Sequence, residues 1–250
     1  FMKKPSEIDP YKFVVKSNNL VEARYRLSLQ ESHVILWLLT QIRPEDDDFK
    51  THRLKVEDFA NMAQVSVGNR YSELRKITKK LMQRVMDIYS PKEGKIIQVA
   101  WLSSAVYEEK QGVVSLRFDP ALKPYLLQLK SQFTKINIAD TMKFKSIYAV
   151  RIFELLLQHE SIGHRKTSIE TLREWCGIEE DEYGLYGNLK KDVITPAKTE
   201  INTKTNYETD YKEIKDSRKV VGLEWTINKK THFEQAQSEK AAILEKELRS

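Results

Sequence analysis

The sequence predicts an α+β fold, mainly helical, in which one series of elements occurs twice along the chain. Two observations predict it. Apolar residues recur every three or four positions in several segments, as on one face of a helix, and each series ends in two β-type segments joined by a charged turn. With 40% hydrophobic and 31% charged residues, the 250-residue chain has the composition of a folded protein with room for two domains.

The first series opens with a helix over residues 28–42. Ser28 and Glu31 have the spacing of a capping box, in which each side chain satisfies a free backbone amide. The helix is apolar on most sides, which predicts deep burial. The rest of the series is a strand at His52–Lys55, a helix with Phe59, Ala60 and Met62, a turn at Val65–Gly68, a helix over 69–85 with Leu74, Ile77, Leu81 and Val85 inward, and β segments Ile96–Val106 and Val113–Phe118 around the connection Tyr107–Gly112.

The second series repeats this order. Its elements are a helix at Ile147–His159, a strand at Lys166–Ile169, a helix at Glu170–Cys176, a helix over 186–203 with Leu189, Val193, Ala197 and Ile201 inward, and strands Tyr207–Ile214 and Val220–Ile227 around Lys215–Lys219. A helix-turn-helix followed by a β-hairpin, the wing, is the winged-helix unit. The sequence therefore predicts two tandem winged-helix domains.

We place the domain boundaries at 11–136 and 142–230, with a charged helical tail at 231–250. Residues 119–130 are predicted to be helical despite Pro120 and Pro124. Residues 133–145 are predicted to be a linker between the two domains.

The helix over 69–85 carries six basic side chains and a single acidic one, Glu73. A surface helix usually mixes the two signs, and the third helix of a winged-helix unit commonly faces the DNA major groove. An ordinary solvated surface is the alternative. The residues expected to contact DNA here are Asn69, Arg70, Arg75, Lys76, Lys79 and Lys80.

The helix over 186–203 is less basic but has side chains suited to reading bases. Lysine can donate to guanine, asparagine can pair with adenine, and the threonine methyl can contact thymine. Pro196 removes one helical hydrogen bond and is expected to kink the helix. A plain polar surface is again the alternative. The side chains expected opposite the apolar stripe are Asn188, Lys191, Thr195, Lys198 and Asn202.

Three basic residues lie at the turn of the second hairpin: Lys215, Arg218 and Lys219. A hairpin tip of this kind can hold a DNA phosphate, and each neutralised phosphate makes binding more salt-dependent. Solvated turn charges are the alternative.

No catalytic, metal or cofactor motif is found in the sequence. The five histidines are scattered, the eight glycines form no phosphate-binding loop, and the acidic runs lie in predicted loops. Cys176, beside Trp175 in an apolar helix, is expected in the core. We therefore predict no enzyme activity, no catalytic residues, no metal and no cofactor.

The net charge of +6 permits a polyanionic partner. The longest apolar run, Val34–Leu39, is too short to span a membrane, so no membrane partner is expected. With one cysteine and no charged-then-apolar leader, the chain is expected in a reducing cytoplasm.

Several segments resemble plasmid replication initiators that bind iterons, which are tandem direct repeats at a replication origin. They lie in the expected order between Tyr11 and Asn228: Ser17–Ile42, Leu54–Tyr89, Phe144–Gln158 (FKSIYAVRIFELLLQ), Ser168–Gly177 (SIETLREWCG), Tyr186–Thr205 and Tyr207–Ile227.

This resemblance implies a bacterial protein that initiates replication of its plasmid by binding origin repeats as a monomer. It also implies a homodimer, joined through the N-terminal domain, that binds an inverted repeat in the operator and represses its own gene, so contributing to plasmid copy control. The host initiator and the replicative helicase are the implied protein partners. The helix matching Tyr186–Thr205 is implied to make most base contacts, with Lys190 and Lys191 where relatives carry a basic pair.

Three alternatives remain open. A winged-helix transcriptional repressor without an initiator role shares every local feature. An origin-nicking enzyme requires a histidine pair that the sequence lacks. A protein-interaction module is disfavoured by the one-signed helix over 69–85.

Overall fold

The computed structural model describes residues 13–43, 46–62, 70–90 and 94–231. The chain divides into two compact units, residues 1–139 and 140–250. Of the described residues, 42% are helical and 32% lie in strands. The two units are winged-helix domains, as predicted. The expectation of a mainly helical fold is slightly off, because strands contribute about a third of these residues.

The described part of the first unit contains five α-helices, seven strands and the start of a sixth helix, which crosses the boundary between the units. In chain order they are β1 (Phe13–Ser17), α1 (Asn18–Val21), α2 (Leu29–Thr40), β2 (His52–Lys55), α3 (Val56–Met62), α4 (Arg70–Gln83), β3 (Val85–Ser90), β4 (Lys95–Ala100), β5 (Leu102–Glu108), β6 (Val113–Phe118), α5 (Lys123–Leu126), β7 (Phe133–Asn137) and α6 (Ile138–Thr141).

The core of this unit is built around α2, and its predicted capping box is confirmed. The Ser28 hydroxyl accepts a hydrogen bond from the Glu31 amide at 3.2 Å, and the Glu31 carboxylate accepts one from the Ser28 amide at 2.7 Å. Every residue from Glu31 to Thr40 is buried, as the apolar pattern predicts. Helices α3 and α4 complete the trihelical arrangement.

The wing of the first unit is the antiparallel pair β5–β6, with β2 on the other side of β6. The predicted strand Ile96–Val106 is wrong as a single element, since the chain passes from β4 into β5 at Trp101, which is fully buried. The rings of Tyr25 and Trp101 pack edge to face, with their centres 5.3 Å apart. The buried indole therefore anchors the chain where it passes from the β3–β4 sheet to the β2-β6-β5 sheet.

Strands β3 and β4 form a separate hairpin between α4 and the wing. The prediction that the helix continues to Val85 is wrong, because Val85 begins β3 and its side chain is exposed. Residues 85–90 alternate exposed and buried, a period of two that ends the helical pattern.

The predicted linker over residues 133–145 is also wrong. Strand β7 pairs antiparallel with β1 from the start of the described chain, and α6 follows it. This two-stranded sheet pairs residues 13–17 with residues 133–137, near the end of the first unit. The predicted helix over 119–130 is present only as a 3₁₀ turn at Pro120–Leu122 and the short α5, since Pro124 lies within the first turn of α5.

The second unit has five described helical segments and three strands after α6. They are α7 (Ile147–Leu157), β8 (His164–Ser168), α8 (Ile169–Trp175), α9 (Tyr186–Leu189), a π-helical turn at Lys190–Ile194, α10 (Thr195–Lys204), β9 (Tyr207–Asp216) and β10 (Lys219–Lys229). Its sheet has the order β8-β10-β9, which matches β2-β6-β5 in the first unit. The predicted repeat is therefore confirmed in the sheet topology, with β1–β7 and β3–β4 as additions to the first unit.

The core of the second unit contains a charged pair. Arg151 and Glu154 on α7 are both almost completely buried, and their side chains lie 3.1 Å apart. The Arg151 guanidinium also donates to the Trp175 carbonyl oxygen at the end of α8, at 2.8 and 3.1 Å. This network joins α7 to α8.

Candidate nucleic-acid interface

Helix α4 has one buried and one charged face. Leu74, Ile77 and Leu81 are buried, as the sequence predicts, together with Thr78. The opposite side exposes four basic side chains: Arg75, Lys76, Lys79 and Lys80. The apolar stripe fixes which way these charges point, and they point to solvent.

The wing holds α4 in place at its polar edge. The Thr78 hydroxyl lies 3.0 Å from the Tyr107 hydroxyl of β5, and the Arg75 guanidinium lies 5.5 Å from the centre of the Tyr107 ring. Arg75 also forms an ion pair with Glu109 in the wing turn. Burial raises the pKa of Tyr107, so its hydroxyl stays protonated at neutral pH. The helix and the wing therefore form one surface.

The basic residues of this helix differ in how much of their charge is available. Lys76 pairs with Glu73 at 2.7 Å, and Arg70 lies 4.0 Å from Glu57. Lys79 and Lys80 are exposed and have no acidic partner among the residues that the structure describes. These two lysines therefore carry the most available positive charge on α4.

The corresponding helix of the second unit is interrupted. Residues 190–194 form a π-helical turn, closed by a hydrogen bond from the Thr195 amide to the Lys190 carbonyl oxygen. Pro196 follows Thr195 and has no amide hydrogen to donate, so one hydrogen bond of the helix is missing there, as its position predicts. The inserted residue brings both Val193 and Ile194 into the core. The predicted inward stripe, Leu189 through Ile201, is buried throughout.

Strand β9 provides acidic partners to lysines of this helix. The Glu213 carboxylate accepts from the Lys190 ammonium at 2.8 Å and from the Tyr186 hydroxyl at 2.9 Å. The Asp210 carboxylate accepts from the Lys198 ammonium at 2.6 Å.

These contacts also set the protonation states of the groups involved. The hydrogen bond from Lys190 lowers the pKa of Glu213, and the one from Lys198 lowers the pKa of Asp210. Burial, reinforced by the hydrogen bond to Glu213, raises the pKa of Tyr186. At neutral pH both carboxylates are charged and the tyrosine is neutral.

Three predicted residues of the second helix are exposed: Asn188, Lys191 and Thr195. Of these, Lys191 carries a charge and has no acidic partner among the described residues. At the wing tip, Arg218 and Lys219 are likewise exposed, whereas the Lys215 ammonium lies 3.7 Å from Glu213. The turn between β9 and β10 is tight, since Ser217 has a positive φ of 54°. These side chains form the solvent-facing part of the second surface.

Asn202 is not available to read bases. Its side-chain amide nitrogen donates to the Thr209 carbonyl oxygen at 2.9 Å, and its oxygen accepts from the Thr209 amide at 2.7 Å. Both polar atoms therefore join α10 to β9.

Among the other predicted residues, Asn69 and the turn at 65–68 lie outside the described residues, as does the tail from residue 232 onward.

The sequence reasoning missed the residues that restrain the basic side chains. Glu213, Asp210, Glu109 and Tyr107 all lie on strands or turns of the wings, far along the chain from the helices they contact. The sequence held one sign of these contacts: from Asp210 onward, the charged residues of β9 alternate between acidic and basic. Such a strand can place acidic side chains next to the lysines of a neighbouring helix.

The described residues contain no group of three or more histidine, cysteine or acidic side chains placed to hold a metal ion. Cys176 is buried, as predicted, and its burial raises its thiol pKa to about 12. A thiol in this state is a poor nucleophile. Within the described ranges, no helix is long and apolar enough to cross a membrane.

Comparison with known proteins adds the following. A family described as "Initiator Replication protein, WH1" matches residues 13–157, and one described as "Initiator Rep protein, WH2" matches residues 168–234. An uncharacterized 27.6 kDa protein of Escherichia coli is 31% identical over 220 residues, covering 82% of this chain and 91% of that protein.

A second Escherichia coli relative, a replication initiation protein, is 29% identical over 203 residues, covering 77% of this chain and 63% of the relative. Among solved structures, the crystal structure of Pi initiator protein in complex with iteron DNA covers 88% of this chain and 98% of its own, with a TM-score of 0.71 and 18% identity. This likeness shows a shared fold.

Proposed function

Since the chain belongs to the family of initiator replication proteins with two winged-helix domains, we propose that it initiates plasmid replication by binding tandem direct repeats at the origin. One observation carries this proposal. Each unit exposes basic or polar side chains on the third helix of its winged-helix core, with a wing beside it. Such a helix fits the major groove, and the wing can reach adjacent phosphates.

The division of labour between the two units follows from their exposed side chains. On α4, Lys79 and Lys80 offer a positive charge and hydrogen-bond donors but no acceptors, which suits contacts with phosphate. In the second unit, Asn188, Lys191 and Thr195 offer different donors, acceptors and a methyl group, which suits base edges. We therefore assign backbone contacts to the first unit and most sequence reading to the second. The contact set excludes Asn202.

Two domains on one chain also raise affinity without further contacts. Once one unit is bound, the other binds at an effective concentration set by the tether. Successive major-groove sites on one side of a duplex lie about 34–36 Å apart. The family membership supports a monomer that contacts its repeat in this way.

The protein is further proposed to form a homodimer through the N-terminal domain and to repress its own gene. The hairpin β3–β4 supports this assignment. Its outward face exposes Val85, Tyr89 and Ile96, and an apolar face of this kind is typical of a protein interface. The host initiator and the replicative helicase remain the proposed partners at the origin, in the bacterial cytoplasm, and no bond-breaking step by this chain is proposed.

The test is footprinting of the purified protein on the DNA that flanks its own gene. Protection of several direct repeats is the expected result, together with maintenance of a plasmid that carries only that DNA and this gene. A single protected palindrome without plasmid maintenance indicates the transcriptional repressor instead. Nicking of supercoiled origin DNA in Mg²⁺ contradicts the absence of a bond-breaking step.

Dimer formation has its own test. Ile96→Lys places a charge on the apolar face of β3–β4 and is expected to shift the protein towards monomer in analytical ultracentrifugation. Val106→Lys changes an exposed residue of β5 in the same unit and serves as the matched control. Equal behaviour of the two variants moves the interface elsewhere.

A further inference from the structure

The lysines of the second unit differ sharply in their electrostatic surroundings. Lys190 contacts Glu213, whereas the adjacent Lys191 is exposed and has no acidic partner in the described part of the chain. Lys198 contacts Asp210 from the same strand as Glu213. The basic charge of this surface is therefore partly cancelled by the wing itself.

Glu213 lies where it can act on two of these basic groups at once. One carboxylate oxygen accepts from Lys190 and Tyr186, and the other lies 3.7 Å from the Lys215 ammonium. Its side chain is about one-fifth exposed, so it stands at the edge of the proposed DNA surface rather than in the core. A DNA phosphate that approaches Lys190 or Lys215 must compete with this carboxylate.

This competition affects the two kinds of DNA differently. Binding to random DNA depends almost entirely on phosphate neutralisation, whereas binding to a specific site adds base contacts. A carboxylate that occupies lysines therefore weakens random binding proportionally more. Specificity is a difference between affinities, and a repulsive group that acts mainly against the wrong ligand increases that difference.

We propose that Glu213 is a specificity-determining residue that restrains Lys190 and Lys215 and so limits binding to DNA of unrelated sequence. This inference rests on the proposed function and goes beyond it, because it assigns a role to an acidic residue in a DNA-binding surface. Glu213 acts through the two lysines and is a positioning residue for them. Asp210 is placed to do the same for Lys198.

The experiment uses Glu213→Gln in the full chain. Glutamine keeps the shape and still accepts the Tyr186 hydrogen bond, so the fold is expected to persist. Binding is measured on a 30-base-pair duplex of random sequence and on a site selected from a random library by the wild-type protein, each over a range of salt concentrations. We expect random binding about fivefold tighter at physiological salt and a slope of log K against log salt steeper by roughly 0.9, as for one additional phosphate contact. Specific binding is expected to change less.

Glu208→Gln is the matched control. Glu208 is an exposed acid on the same strand with no described ion pair, so its substitution changes the net charge equally without releasing a lysine. A second control is Glu213→Gln in a Lys190→Gln background, where the gain is expected to shrink because one of the restrained lysines is gone. Circular dichroism melting curves confirm that each variant is folded.

The outcomes separate this inference from the proposed function. If the wild-type protein selects no sequence from the library, the proposed function fails. If it selects a site but Glu213→Gln leaves random binding and the salt slope at the wild-type or Glu208→Gln values, the inference about Glu213 is overturned. Equal weakening on both duplexes also overturns it, since that result indicates a purely structural role.

Discussion

The two winged-helix units use the same architecture with different electrostatics. Their three-stranded sheets have matching orders, and in each the third helix lies beside a wing. In the first unit the helix is unbroken from Arg70 to Gln83, and basic side chains outnumber Glu73 on its exposed side. In the second it contains a π turn and alternates available and restrained lysines. A shared fold therefore leaves the chemistry of the exposed helix open.

Both units also bury a glutamate against an arginine, but to different depths. Glu31 pairs with Arg84 at 3.0 Å, and Arg84 is one-third exposed. Glu154 pairs with Arg151, which is 2% exposed. Removing one member of a fully buried pair costs more than removing a partly exposed one, because an exposed arginine already keeps part of its interaction with water. The units should therefore differ most in their response to loss of the arginine.

Arg151→Met gives the largest expected effect. We expect the second unit to lose about 3–5 kcal/mol, because the buried Glu154 loses its ion pair with Arg151 and the Trp175 carbonyl oxygen loses the two hydrogen bonds from the guanidinium. Arg84→Met is the matched change in the first unit and should cost less. Hydrogen–deuterium exchange measured by mass spectrometry resolves the two units separately. If the two variants lose equal free energy of unfolding in their own units, burial of the arginine does not set the size of the effect.

Lys191→Ala tests sequence reading by the second unit. Loss of a base contact is expected to weaken binding to the selected site by about 1–3 kcal/mol, with a smaller effect on random duplex. Fluorescence anisotropy on both duplexes measures the ratio. The same loss on the two moves Lys191 into the phosphate-contacting class and removes the distinction between the units.

Thr78→Val tests how the first unit holds its helix. The change keeps the shape of the side chain but removes two hydrogen bonds, the one between the Thr78 and Tyr107 hydroxyls and the one that the Thr78 hydroxyl donates to the Arg75 carbonyl oxygen. A loss of about 1–2 kcal/mol in the free energy of unfolding is expected, at about 1 kcal/mol for each of the two hydrogen bonds. Thr203→Val is the control, since the exposed Thr203 hydroxyl makes only a hydrogen bond to a carbonyl oxygen within its own helix α10, that of Thr199 at 2.7 Å or of Glu200 at 3.5 Å, in the described part of the chain. Urea denaturation, followed by hydrogen–deuterium exchange in each unit, provides the measurement. An unchanged stability of the first unit would show that the contact between Thr78 and Tyr107 does not stabilise it.

Lys79→Ala gives the smallest expected effect. It should weaken binding to all duplexes by a similar factor and flatten the salt slope by about 0.9, since one phosphate contact is lost. Lys76→Ala, which removes a lysine already paired with Glu73, is expected to change the slope less. An unchanged slope in Lys79→Ala removes α4 from the interface.

Local patterns predicted most of the helices and the repeated order. The capping box at Ser28 and the inward stripes at Leu74 and Leu189 depend on residues within a few positions of one another, so the sequence displays them directly. The interruption at Pro196 was expected as a kink, whereas the π turn at Lys190–Ile194 was not predicted. The prediction of one strand over residues 96–106 was wrong, because this segment is divided between two sheets at Trp101. Burial of Trp101 against Tyr25 depends on a segment far away in the sequence, which local patterns do not reveal.

Sequence alone determined that this initiator contains two winged-helix domains and which helix faces are apolar. Tertiary structure decided which charges remain available on those helices. Lys190 and Glu213 are separated by 23 positions, and Arg75 and Glu109 by 34. Counting charges along a helix therefore overstates its positive surface, because the carboxylates that restrain the basic groups come from strands that only folding brings close.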